Sequence, residues 1–420
     1  MKYPIGLTLL LITSFLVPIE FGTGTQTTIN PTVIIIPLLI CAWILKLLLV
    51  PGSKLHQLSK SEWILLIFAV SGVFSLLVGQ LLIFNVDGAP LRAQIGGLAI
   101  LFMSVGIFLF VANQGGSTVG LTRLTWVFLL IAALVILLKI LPSLSEISER
   151  IVVSGATGSM FWLWTVALSF AQVSANRKLH RIWKLGLSAL VVSVFYLTIF
   201  QQRAWTSSWL PALFAILLIL WLTTPKIGVL ITLIALLYFN LDSKAVINLV
   251  MVGDNYYSLS TRLQAWEIIT GLASKSPLFG LGPANYYWYD STLPIAGWYA
   301  NFNSHNNYID LYAQFGVLGL GLFVWFAVEI GLAGLRLLRV VSDEFSRSYI
   351  IGCLAGLGGT LMAGMLGDWF MPFVYNIGFA GTRSSFLPWF FLAGILVIKR
   401  NLYSEIIPSA QDIEVSSVQL

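Results

Sequence analysis

The run LYAQFGVLGLGLFVWFAVEIGLAG, Leu311 to Gly334, carries one charge, Glu329, over a length that exceeds the roughly 20 residues needed to cross a bilayer core. A buried helix of a soluble protein rarely stays this apolar for this long. The stretch therefore reads as a membrane span. Immediately before it stands NSHNNYID, Asn303 to Asp310, which gathers a histidine, asparagines and an aspartate at the mouth of that span.

Runs of the same kind recur along the chain. Twelve spans are expected, at about 4–20, 31–50, 63–84, 93–112, 124–142, 160–175, 185–200, 207–223, 227–241, 311–334, 348–366 and 383–398. Composition agrees. Of 420 residues 58% are hydrophobic and 10% charged, against roughly 25% charged in soluble domains. The fold class is an all-α polytopic membrane protein, with about 12 transmembrane helices and one large external loop. The first run follows Lys2 without a small-residue cleavage site and reads as an uncleaved span.

The net charge of +6 does not point to nucleic acid, because the basic residues are scattered through short loops. Placing the N-terminus in the cytoplasm puts fourteen of them inside, including Lys60, Arg177, Arg336 and Arg400. Seven fall outside: Arg92, Arg150, Arg203, Lys244, Arg262, Lys275 and Arg383. That bias orients the chain. Four regions follow: helices 1–9 over 1–241, an external loop over 242–310, helices 10–12 over 311–400, and a polar cytoplasmic tail over 401–420. Cys41 and Cys353 fall inside spans and read as packing residues.

The loop is too long and too apolar for a mere connection. Its tyrosines and tryptophans suit a membrane interface, and equally the stacking of sugar rings. Within it, TRLQAWEIITGLA places Leu263, Trp266, Ile269 and Leu272 at helical spacing, which predicts an amphipathic helix on the membrane surface.

Candidate chemistry centres on three residues. His305 is flanked by Asn303 and Asn306, which can orient an imidazole for general-base work, or can cap the following helix. Arg203, in QQRAWTSS, and Arg262 both face outward near the bilayer surface, where a guanidinium binds phosphate or snorkels to headgroups. His56 and His180 read as solvated loop residues. Glu329, inside a span, calls for a cation that the sequence does not name. No pair of carboxylates has metal-site spacing, and no nucleotide-binding or nucleophile-elbow motif is present.

At these residues the chain resembles a known family. RLQAWEIITGLASKSPLFGLGPANY (Arg262 to Tyr286) and SHNNYIDLYAQFGVLGLGLF (Ser304 to Phe323) are similar to the signature of the O-antigen ligase and O-antigen polymerase superfamily. The shared features are Arg262 with Trp266, then Pro277, Leu278, Gly280 and Gly282. His305 with Asn306 follows, and then Gly316 with Gly319; the upstream Arg203 matches the family's other arginine. The resemblance implies a GT-C-like, inverting glycosyltransferase of the bacterial inner membrane, with its active site facing the periplasm. Its donor would be a glycan on polyprenyl (undecaprenyl) diphosphate and its acceptor lipid A-core, with neither metal nor nucleotide as cofactor. Arg203 and Arg262 would bind the diphosphate, and His305 would orient or deprotonate the acceptor hydroxyl. Asn303, Asn306 and Trp266 would contact substrate. A polymerase that extends a lipid-linked glycan is the alternative. A transporter fits less well, because the long segment comes late and outside rather than between two halves.

Overall fold

A computed structural model describes residues 3–22, 28–53, 56–81, 83–153, 155–201, 205–244 and 255–406. Arg203 lies outside the described residues. The helices are α1 Tyr3–Leu16, α2 Pro31–Leu49, α3 Lys60–Val78, α4 Leu91–Gln114, α5 Thr118–Ile140, α6 Ser145–Ile151, α7 Ser159–Ala175, α8 Arg181–Phe195, α9 Thr206–Thr223 and α10 Pro225–Leu241. They continue as α11 Asn255–Ala273, α12 Tyr286–Tyr289, α13 Asn307–Leu337, α14 Glu344–Leu366 and α15 Gly378–Ile406. Two short hairpins complete the fold, Phe21–Gly22 with Thr28–Ile29 and Pro294–Ile295 with Trp298–Tyr299.

The twelve expected apolar segments are all helical. Among the described residues nine helices are long and apolar enough to cross a membrane, and the three others are shorter apolar helices. The chain is an all-α polytopic membrane protein. The short α7 needs no lipid contact along its length, because α14, α9 and α15 surround it and its residues are buried almost throughout. Gly356 makes that approach possible, since a β-carbon there would meet the Trp164 ring at 2.8 Å. The helix α15 runs beyond the expected span to Ile406, so residues 401–406 are helical rather than tail. Residues 407–420 lie outside the described residues.

Polar residues hold the helix ends. Ser59 and Glu62 form a capping box at the start of α3. The buried Glu62 carboxylate also accepts from Arg400 Nη2 at 2.7 Å and Asn113 Nδ2 at 2.8 Å. Glu329 finds the cation that the sequence left unnamed: Lys60 Nζ at 3.2 Å, with Arg336 Nη1 at 3.9 Å. Arg383, expected among the external cations, does not reach the surface. It is fully buried and donates to the carbonyls of Ser14, Val17 and Ile19 at the end of α1, with Glu20 3.6 Å from its Nε. It satisfies carbonyls that a helix end leaves without partners.

One interruption shapes the rest. The helix α13 breaks at Gly316, whose φ is 70°. The break frees two helical carbonyls and two N–H groups, and the segment Pro277–Gly282 takes all four. Leu281 N donates to Ala313 O (2.8 Å) and Gly282 N to Gln314 O (3.2 Å). In return Val317 N donates to Pro277 O (2.8 Å) and Leu318 N to Leu278 O (3.2 Å). Irregular backbone at membrane depth survives only with such internal partners. The two glycine motifs of the sequence are thus halves of one interlock.

Candidate functional site

The interlock fixes what precedes it. From Gly282 the chain runs through α12 to the loop of residues 300–306 and enters α13 at Asn307. Asn306 caps that helix, its Oδ1 accepting from Tyr308 N (2.9 Å) and Ile309 N (3.3 Å). In the first turn of α13 the buried Asp310 accepts from Tyr286 OH at 2.6 Å, and Ser304 Oγ lies 2.7 Å from the same oxygen. This buried triangle ties α12 to the loop.

On that loop His305 adopts a left-handed backbone, φ 47°, an uncommon conformation for a side-chain-bearing residue. The Asn303 side chain supports it by accepting from His305 N at 3.2 Å. Trp266, on α11, donates its indole N–H to Ser304 O at 2.7 Å and so joins α11 to the same loop. The helix predicted over TRLQAWEIITGLA is present, but it packs on α13, and the buried line is Ala265, Ile269 and Leu272. Leu263, expected on that line, is exposed, on the side of the helix away from Ala265, Ile269 and Leu272.

These elements enclose a cavity of about 420 Å³. Arg262, Asn303 and His305 line it, together with Tyr287, Asn301 and Trp298 from the second hairpin. Arg262 Nη1 donates to Leu366 O at 3.1 Å, while its buried Nε has no hydrogen-bond partner among the described residues. A guanidinium that lines a cavity is suited to an anion. Burial draws the Arg262 side chain below its ordinary pKa, with Asp368 acting the other way.

His305 is pushed down to about 4, first by burial and then by the neighbouring Arg262 charge, so the ring is neutral at physiological pH. Its Nδ1 lies 3.5 Å from Asn376 Nδ2, which donates to Asp368 Oδ1 at 2.6 Å. The other Asp368 oxygen accepts from Phe373 N at 2.8 Å. Burial holds the Asp368 carboxyl above the usual carboxylate range, opposed by the Phe373 N–H and Asn376 bonds and by Arg262. Asp368 and Asn376 sit in the loop between α14 and α15. No motif marked them, and only their place opposite His305 reveals them.

Of the expected site residues, Arg262, Asn303 and His305 meet at the cavity. Asn306 and Trp266 stand behind it, with the Asn306 oxygen and the Trp266 N–H engaged by the backbone. Among the described residues no group of three or more His, Cys, Asp and Glu side chains is arranged to hold a metal.

Residues 184–324, from α8 into α13, match the family model described as O-antigen ligase. The chain resembles the O-antigen ligase and polymerase superfamily. The matched stretch includes Arg262, the Pro277–Gly282 turn, His305 and Gly316, which the fold brings together around one interlock and one cavity. It supports a membrane enzyme of the O-antigen ligase or polymerase type, a multi-pass bacterial membrane protein with lipid and glycan partners. No curated protein matches the chain.

Proposed function

We propose that the protein is an O-antigen ligase-like glycosyltransferase, moving a glycan from undecaprenyl diphosphate onto an acceptor hydroxyl of lipid A-core with inversion of the anomeric carbon. The observation that carries this reading is that the Arg262 guanidinium and His305, with a neutral imidazole, line the same cavity. The acceptor oxygen attacks the anomeric carbon while the bond to the diphosphate breaks, and negative charge builds on the departing group. A fixed guanidinium beside that charge lowers the barrier. Arg203 would bind the diphosphate with it, the role that the family resemblance assigns to this residue. Tyr287 and Trp298 offer flat faces on which sugar rings stack.

The site faces the periplasm from the inner membrane. This orientation draws support from the cations Lys60, Arg336 and Arg400, which gather around Glu329 and Glu62 at the start of α3 and the far ends of α13 and α15. The site requires no metal or nucleotide. The test is transfer by purified protein in liposomes, from a polyprenyl-diphosphate glycan to lipid A-core, with a chelator present and nucleotide absent. An inverted linkage on lipid A-core is expected. Glycan added instead to a second lipid-linked chain would assign a polymerase, and no transfer with either acceptor would refute the reading.

A further inference from the structure

The side chain facing His305 decides which of its nitrogens carries the proton. Asn376 has two chemically different ends, and Asp368 chooses between them. The Phe373 N–H and the Arg262 charge favour the ionised form of Asp368 against burial, and in that form it takes the Asn376 Nδ2 group at 2.6 Å, so the amide nitrogen, not the amide oxygen, is the atom presented to His305 Nδ1 at 3.5 Å. Two N–H groups cannot point at each other, so Nδ1 must offer its lone pair. In a neutral imidazole the single proton then resides on Nε2. The backbone that carries the ring is held in place, because Asn303 accepts from His305 N at 3.2 Å and Ser304 Oγ accepts from Asn306 N at 2.9 Å.

We infer that Asp368 and Asn376 are positioning residues that hold His305 as an Nε2–H hydrogen-bond donor to a diphosphate oxygen, beside the Arg262 guanidinium, rather than as the general base. This rests on the glycosyl-transfer reading above. Arg262 and His305 both line the cavity, so the guanidinium and the Nε2–H then serve as donors to one anion. The neutral state of His305 agrees, since a donor needs no charge change during the reaction. The acceptor oxygen bonds to the anomeric carbon, and the carbon–oxygen bond to the diphosphate breaks with its electron pair passing to the diphosphate. The hydroxyl proton passes to water, which suffices because the newly bonded, still protonated oxygen is strongly acidic.

Glutamine tests the assignment, because its Nε2 can occupy the place of the histidine Nε2–H but cannot act as a base. In the liposome transfer assay His305→Gln should retain activity within about tenfold of wild type, while His305→Ala falls by about 10²–10³, the usual effect of removing one such donor. Asn376→Leu should lower activity in the wild-type background and leave His305→Gln unchanged. Ring ¹⁵N NMR of a His56→Gln, His180→Gln protein should show the Nε2–H tautomer, lost to a mixture in Asn376→Leu. An Nδ1–H tautomer, or His305→Gln as inactive as His305→Ala in folded protein that still transfers at the wild-type pace when His305 is restored, would overturn the donor role. Full activity of His305→Ala would instead refute the placement of His305 in the site, and the inference with it.

Discussion

Arg262 lines the cavity and is tethered by Nη1 to the carbonyl of Leu366, 3.1 Å away at the end of α14, while its buried Nε has no partner among the described residues. The tether fixes the direction in which the remaining donors point. Lysine has the charge without the planar fork. Arg262→Lys is therefore expected to lower glycan transfer by about 10²-fold, and Arg262→Ala by up to about 10³-fold. Both variants should keep wild-type thermal unfolding, and initial rates in liposomes check the loss.

His305 links pH to stability. Its folded pKa lies near 4, below the ordinary value of about 6.5, because burial and Arg262 disfavour the imidazolium. Between those values the unfolded chain binds a proton that the folded chain refuses. Stability contributed at this position is therefore complete above about pH 6.5 and is lost as pH falls toward 4. Thermal unfolding in detergent should drop over that window, and His305→Gln should flatten the drop.

Asp290 works in the opposite direction. It is fully buried, one oxygen accepting from Phe302 N at 3.4 Å and the other without a partner among the described residues, and burial raises its pKa to about 9. The folded chain keeps a proton that the unfolded chain has released above about pH 4. Stability thus falls as pH rises from about 4 to 9. Asp290→Asn should remove that fall and raise the unfolding temperature at pH 8.

The interlock is sensitive to one methyl group. A β-carbon on Gly316 would lie 2.2 Å from Leu278 O, at a φ that favours glycine. Gly316→Ala should cost more than about 2 kcal/mol, from backbone strain together with the displaced Pro277–Gly282 segment. Gly321→Ala, on the same helix with nothing within 4 Å, is the control. Denaturant unfolding of the two proteins checks the difference.

At the other end of the bundle, Arg400 is the cation for a fully buried Glu62. Removing one partner of such a pair strands a buried charge, at a cost of about 3–5 kcal/mol. Arg400→Ala should lose that much, while Arg400→Ala with Glu62→Gln should recover part of it in the same unfolding measurement.

Helix periodicity and length carried the fold, because a bilayer imposes a minimum apolar run that sequence alone displays. The capping role open to Asn306 was legible for the same local reason. What sequence did not show depends on distant pairing. Gly316 belonged to the recognised glycine motif, but its spacing did not mark it as a break, which only the facing Pro277–Gly282 segment makes it. Leu263 followed the helical spacing of Ile269 and Leu272, yet the residue buried with those two is Ala265. Arg383 carries the same charge as Arg262 but caps α1 from the far end of the chain. The site was half legible: His305 and Arg262 stood out as polar groups in apolar surroundings. Asp368 and Asn376 did not, since they reach His305 through a loop whose path no local pattern encodes.

The most direct test of the central claim is the surface glycan profile of a strain lacking this gene, complemented with wild type, Arg262→Ala or His305→Ala at equal expression. The account predicts that the deletion and both variants leave lipid A-core bare, with long glycan held on the polyprenyl carrier, and that wild type restores the polymer. A normal profile in the deletion, or full restoration by both variants, would contradict it.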